Sequence, residues 1–421
     1  MIDYIITKKA RREFSQTMQF RSPENKSRIP QVNGAKPHLL YLHIPFCEKL
    51  CPYCSFNRVL FDETLCRAYF SALRKEIELY KETGHQFSGL YVGGGTPTVL
   101  IDELEETISL AKRCFQIGKI SVETNPNHLT DQNIAILKRA GVNRLSVGLQ
   151  SFDDGLLKGM ERYDKYGSGK EIALRMKEML GQFDTLNADM IFNFPSQDMN
   201  MLTRDLDILM NMGVDQITYY PLMVSDSTRQ AIAKTMGNVS YRKERTFYRQ
   251  IVNRLVPAYH FSSAWCFSKK ESIIDEYIVD YDEYAGLGSG SIGYLEGTCY
   301  ANAFDIKKYI EQVSKGNLPL MASRTFSLKD QIRYDFLMKL FGMKLELPAM
   351  EEKYGRALYR HLWVDMVAFI LAGRLRYRVP YLHLTNRGCY SWVVMMREFF
   401  ISVNNFRDFC RAQAAGNVGS S

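Results

Sequence analysis

Between residues 39 and 222 the chain alternates short apolar runs with amphipathic helical segments. The repeat recurs about every 25–35 residues, and that rhythm leaves few folds open. LLYLHI (39–44), SGLYVGG (88–94), KISVET (119–124), NRLSVGL (143–149), ADMIFNF (188–194) and QITYYPL (216–222) read as strands. ETLCRAYFSALRKEIELYKETG (63–84), IDELEETISLAKRCF (101–115) and DQNIAILKRA (131–140) read as helices between them. Apolar strands joined by crossover helices form a parallel sheet covered on its faces. Six strands fall short of a closed eight-stranded barrel. The expected fold is therefore α/β, an open partial (β/α)6 barrel, with its working residues at the C-terminal strand ends.

The remainder divides by composition. Residues 1–36 read as a polar, basic arm broken by Pro23, Pro30 and Gly34, and 37–255 as the barrel. Residues 256–323 read as an extension of it that carries the glycine-rich AGLGSGSIGY (285–294), and 324–421 as a mainly helical domain covering the substrate. Within the last, RLRYRVPYLHLTNRGCYSW (374–392) has the look of a small β-wing before a final helix, and AAGNVGSS of a disordered tail. No apolar run approaches the ~18–20 residues of a membrane span, and the N-terminus lacks an apolar signal core, so the chain reads as cytoplasmic. Its 54 basic and 46 acidic residues give a formal charge of +8. That balance suits a solvated surface, an anionic substrate or peripheral contact with an anionic membrane face. No nucleic-acid module is present in the pattern.

Chemistry concentrates after the first strand. Cys47, Cys51 and Cys54 stand in a C-x3-C-x2-C arrangement. Four-iron clusters usually take four thiolates, so three leave one iron open to chelate the amino and carboxylate groups of a ligand. Reductive cleavage of S-adenosylmethionine needs such an iron. A zinc site completed by His43 or His85 is the alternative, although zinc motifs more often pair two distant cysteine couples. Cys66, Cys114, Cys266, Cys299, Cys389 and Cys410 are scattered, as buried apolar thiols in a reducing compartment would be. Gly93-Gly94-Gly95-Thr96-Pro97-Thr98 follows the second strand, where glycines allow close backbone approach to a ligand. Glu123 ends the third strand and can accept hydrogen bonds from hydroxyl or ammonium groups. Gln150 ends the fourth, and Arg162 follows as a partner for a carboxylate.

Together YLHIPFCEKLCPYCSFN, LYVGGGTPT, VETNP, RLSVGLQSF and AGLGSGSIG resemble the oxygen-independent coproporphyrinogen III oxidase family of radical S-adenosylmethionine enzymes. The resemblance runs from about residue 38 to 300, with an echo at LPLMASRTFSLKD and HLTNRG. It implies a [4Fe–4S] cluster on Cys47, Cys51 and Cys54 and two S-adenosylmethionine molecules beside it. By similarity, Tyr41, Gly94, Gly95, Thr96, Glu123, Gln150, Arg162, Asp189 and Ile292 match the ligand-binding positions, Ile292 on a loop. A reductant such as flavodoxin or ferredoxin is implied as well.

The family contains several chemistries, and two departures bear on the branch. Decarboxylating members carry a further cysteine two residues after the third, where this chain has Phe56. MERYDKYGSG (160–169) also lacks their Gly-Arg-x-His pattern. CPYCSFNR, RYDKYGSG and WVVMMREFFISVNNFRD resemble the class C methyltransferases acting on menaquinone. The expected activity is thus methylation of an sp2 carbon, the naphthoquinone ring being the substrate. The alternatives are oxidation of coproporphyrinogen III, a haem-binding chaperone, or an anaerobic haem-degrading relative, each with a tetrapyrrole partner. Met395, Met396, Phe399, Phe400 and Phe406 are candidates for an apolar wall, or else for the core-facing stripe of a last helix. A Tyr, His or Asp near the strand ends would serve as base.

Overall fold

The six expected strands form and lie side by side in chain order: β1 (His38–Ile44), β2 (Phe87–Gly94), β3 (Lys119–Thr124), β4 (Arg144–Gln150), β5 (Thr185–Phe192) and β6 (Gln216–Pro221). The computed structural model describes residues 2–17, 20, 38–270 and 281–414. β1 is buried along its whole length, as a strand covered on both faces must be. The crossover helices explain themselves locally. Glu63–Glu82 starts where Asp62 accepts from the Leu65 amide, and buries Cys66, Tyr69, Phe70, Leu73, Ile77 and Tyr80 along one stripe. Asp131–Ala140 is capped by Thr130 and stops at Gly141 in the left-handed region.

The sheet does not end with these six. Beyond β1 lies a seventh parallel strand, β7 (Tyr284–Leu287), followed by the antiparallel β8 (Ile292–Leu295), Thr298–Asn302 and Leu320–Thr325. Beyond β6, Cys266–Ser268 and His260–Phe261 pair antiparallel. Among the described residues no pairing joins the two edges of these twelve strands, so the barrel is open. The glycine-rich segment is thus a strand, a turn and a strand, and Ile292 stands on β8 rather than on a loop. A four-residue strand interrupted by a glycine leaves too little periodicity to be read in the sequence.

The C-terminal region is mostly helical: Leu328–Phe341, Leu347–Tyr354, Arg356–Leu371 and the long final helix Asn386–Ala414. A three-stranded sheet of Lys344–Glu346, Tyr381–Leu384 and Leu375–Arg378 forms the expected wing. The final helix begins at Asn386, inside the segment read as wing. The division placed at residue 323 falls inside Leu320–Thr325, a strand of the barrel sheet.

The segment read as an arm carries a helix, Ile2–Thr17, packed along the final helix. Arg11 donates through both Nε and Nη2 to the buried Glu398, and Phe14 meets Phe399 edge-on. A charge-rich sequence hid this, because the contacts that order it lie almost the whole chain away. Pro23, Pro30, Gly34 and residues 415–421 of the tail lie outside the described residues.

Candidate functional site

Register brings the motifs together. Ile44 pairs with Gly94, so the cysteine loop leaves β1 beside the glycine loop leaving β2. Glu123 pairs with Ser146, and Gly148 with Asp189, which sets the ends of β3, β4 and β5 in one row. At the irregular end of β4, Gln150 adopts a left-handed backbone (φ 73°), a strained choice for a residue other than glycine.

A cavity of about 330 Å³ opens at this row. Tyr41, Cys47, Cys51, Cys54, Gly94, Gly95, Glu123, Gln150, Arg162, Asp189 and Ile292 all line it. Thr96 alone of the predicted site residues stands behind the wall, fully buried. There its hydroxyl approaches Cys47 Sγ at 3.7 Å and accepts from Asn125 Nδ2 at 2.8 Å.

The glycine loop is fitted to the cysteines. A β-carbon on Gly95 would sit 2.7 Å from the Phe46 carbonyl and 2.9 Å from Cys47 Sγ, so no side chain is tolerated there. The cysteine loop is tied at both ends by the parallel pair of Phe46–Cys47 with Val59–Leu60. Arg58 donates to the Cys51 and Cys54 carbonyls, each at 2.6 Å. Asn57 donates to Ser289 and Phe304, and Arg411 of the final helix to the Ser55 and Phe56 carbonyls, each at 3.1 Å.

Electrostatics suit an anionic iron–sulfur cluster. Arg162 Nη1 lies 3.7 Å from Cys51 Sγ, and Arg58 turns its guanidinium on the same loop. Lys165 Nζ is buried without a hydrogen-bond partner among the described residues, 3.6 Å from Glu48. Burial and the nearby Cys54 push the Cys47 thiol up to about 11, so a metal would have to supply its deprotonation. Among the described residues no three His, Cys, Asp or Glu side chains are grouped closely enough to hold one metal ion. Thiolates that ligate different irons need wider spacing.

Glu123 is held at 2.7 Å from the Tyr91 hydroxyl and 3.1 Å from the Gly94 amide, and its burial raises its pKa. Asp189 accepts from Ser146 and Asn187 at 2.6 and 2.8 Å. His43 is fully enclosed and pushed down to about 4 by burial, so it is neutral. Its Nε2 faces the Asn57 carbonyl at 2.8 Å and its Nδ1 the Tyr41 hydroxyl at 3.0 Å. An Nε2 proton given to that carbonyl leaves Nδ1 to accept from Tyr41.

The opposite wall was largely invisible in the sequence. Tyr284, Tyr294, Phe326, Tyr334, Met338, Phe399, Phe400 and Val403 line it, with Asn404 and Arg407. Of the five residues proposed for an apolar wall, Phe399 and Phe400 serve. Met396 is buried in the main core, Met395 packs against it, and Phe406 stacks on Phe20 in a separate cluster. Arg58, Tyr91, Asn125 and Tyr166 also line the site; each lies inside a motif already quoted, but none had been singled out as a site residue.

A family model described as the radical SAM superfamily matches residues 41–207. The chain is 28% identical to the heme chaperone HemW of Bacillus subtilis over 338 residues, covering 76% of this chain and 87% of that protein. It is 29% identical to the anaerobilin synthase of Escherichia coli O157:H7 over 317 residues, covering 70% and 69%. With the oxygen-independent coproporphyrinogen III oxidase of Cereibacter sphaeroides identity is 25% over 358 residues, 78% of each. Among solved structures, coproporphyrinogen III oxidase (HemN) from Escherichia coli superposes with a TM-score of 0.72 at 21% identity, over 92% of this chain and 93% of that one. A radical SAM domain with coproporphyrinogen oxidase-like relatives is thereby in place, in the α/β fold of that structure. Such a domain works with a [4Fe–4S] cluster and S-adenosylmethionine. The resemblance to class C methyltransferases gains no support from these relatives, which are named for tetrapyrrole or haem functions.

Proposed function

We propose that the chain is a radical S-adenosylmethionine enzyme that acts on a flat, largely apolar ring, a tetrapyrrole first among the candidates. The observation that carries this reading is the facing of two walls across one cavity: three cysteines with Glu123, Gln150, Arg162 and Asp189 on one side, aromatic side chains on the other. Cys47, Cys51 and Cys54 would ligate the cluster, with Arg58, Arg162 and Lys165 balancing its charge. The Gly94–Gly95 backbone and Glu123 would receive the amino-acid end and ribose of S-adenosylmethionine, with Gln150, Asp189 and Ile292 around the rest. When bound, the reduced cluster and S-adenosylmethionine supply one-electron chemistry able to take hydrogen from an unactivated C–H bond. Tyr284, Tyr334, Phe399 and Phe400 exclude water and hold the ring, and the Tyr41 hydroxyl is oriented by donating its hydrogen bond to His43 Nδ1.

A second reading, methyl transfer to the sp2 carbon of a naphthoquinone, is favoured by one observation. The arginines of the pocket are already engaged, Arg58 and Arg162 on backbone carbonyls and Arg407 over the Phe56 ring and on Asn404, and the fourth cation, Lys49, lies 4.0 Å from Asp164. That leaves little to receive the propionates of a porphyrinogen. In this reading a second S-adenosylmethionine donates the methyl group.

The reconstituted, reduced protein with S-adenosylmethionine should be offered coproporphyrinogen III, haem and a menaquinone in parallel. Vinyl products with carbon dioxide, or a linear tetrapyrrole, support the first reading. S-adenosylhomocysteine with a quinone heavier by one methyl group supports the second and overturns the first. Haem bound with no consumption of S-adenosylmethionine overturns both and leaves a carrier.

A further inference from the structure

The helix Arg356–Leu371 shows apolar side chains on both of its faces. Leu358, Leu362 and Met366 are buried against the helical region. The other face carries Trp363, 60% exposed, Val364, 77%, and Leu371, 82%, together with Tyr359 and Ile370. The wing prolongs it: Tyr377 is half-exposed and Val379, at the hairpin tip, is 79% exposed. The helix packs directly against the wing strand Leu375–Arg378, so helix face and wing adjoin. A run of large exposed apolar groups on this scale marks a contact surface.

Charge identifies what meets it. Arg356 and Arg360 rise from the same helix face, and Lys344, Arg376 and Arg378 from the wing, all exposed. Register sets Arg376 and Lys344 on either side of His383 in one row. None of these five cations pairs with a carboxylate among the described residues. Two nearby acids are engaged elsewhere, Asp365 by Lys9 and Arg333 and Glu351 by Tyr359. Residues 344–387 hold eight Lys and Arg against four Asp and Glu. Among the described residues no helix is long and apolar enough to cross a membrane. A short helix with exposed Trp, Leu and Val and an arginine rim is instead suited to lie in the headgroup layer.

We propose that this helix and the wing dock the protein on an anionic lipid bilayer, with Trp363, Val364 and Leu371 entering the interface and Arg356, Arg360, Arg376 and Arg378 on the headgroup phosphates. The proposal does not depend on which ring the pocket receives. It has a geometric bearing on the pocket all the same. The docking helix packs on Leu328–Phe341, whose Tyr334 and Met338 line the cavity.

Trp363 makes the test direct, because the other two tryptophans, Trp265 and Trp392, are fully buried. The full chain is titrated with phosphatidylcholine vesicles and with vesicles holding a third phosphatidylglycerol, following tryptophan emission and co-sedimentation. The expected result is a blue shift and sedimentation with the anionic vesicles only, reversed by high salt. Trp363→Ser with Leu371→Ser should abolish both signals. Arg376→Gln with Arg378→Gln should weaken partition on the order of 20-fold, from about fivefold per charge. Absence of a shift with anionic vesicles overturns the proposal. So does equal binding by the arginine variant, or a concentration-dependent dimer that buries Trp363 without lipid.

Discussion

The cavity has two faces that are assembled differently. The strand-end face draws on residues 41–223, in short contiguous motifs fixed by strand register and by tight backbone contacts such as Gly95 on Cys47. The facing wall draws single side chains from residues 284–407: the glycine-rich strands, the helix Leu328–Phe341 and the final helix. The first face is charged and closely hydrogen-bonded, with rings of its own at Tyr41, Tyr53, Phe56, Tyr91 and Tyr166; the second is mainly apolar and held by packing. The difference assigns them different work. Under the proposed function, chemistry common to many substrates would belong to the first face, and the choice of substrate to the second.

The sharpest way to break that division is Cys51→Ala. Loss of cluster absorbance, and of S-adenosylmethionine cleavage to background with every substrate, is expected. Substrate-dependent residual cleavage would show that the faces are not separable.

Next in size is a pH effect at the seam. Glu76 is fully buried and accepts from Tyr309, the Gly288 amide and Asn302, tying the glycine-rich turn to the barrel. Burial raises its pKa from 4.5 to about 7 despite those donors. A carboxyl with a raised folded-state value stabilises fully below its unfolded pKa, and that contribution is lost as pH rises through 7, on the order of 3 kcal/mol in all. Asp205, also raised to about 7 by burial, acts in the same direction. Urea unfolding between pH 5 and 8 should therefore show stability falling with pH, and Glu76→Gln should flatten part of the slope. A slope unchanged in Glu76→Gln would remove Glu76 as the titrating group.

The smallest effects form a matched pair. Glu123→Gln, which loses a charged acceptor facing Tyr91 and Gly94, should raise the KM for S-adenosylmethionine roughly 10- to 100-fold. Phe399→Ala, which removes one ring from the wall, should raise the KM for the second substrate about tenfold. It should disturb S-adenosylmethionine binding far less. If both variants moved the same KM, the two faces would be one site.

Legibility in the sequence follows the same line. Cys47, the glycine loop, Glu123 and Gln150 could be placed because each ends a strand and parallel strands end together, while Cys51 and Cys54 follow in the loop and Arg162 in the segment after β4. The wall could not. Phe399 and Phe400 share their helix with Met396 and Phe406, and only packing decides which side chains of that helix meet the cavity and which the core. The helix Ile2–Thr17 was hidden for a similar reason, since Glu398, its anchor, is 387 residues from Arg11.

Arg411 closes the cysteine loop from a position 356 residues further along the chain than Ser55. On the ribosome that separation becomes time. At about 5–20 residues per second, the loop waits roughly 20–70 s for its last anchor to be synthesised. During that interval the three thiols stand in a loop braced by Arg58 but open on the side that the final helix will cover. Iron delivered to the nascent chain would meet an unfinished, water-exposed cradle. The cradle is thus complete only once the final helix has been made and can shut behind it.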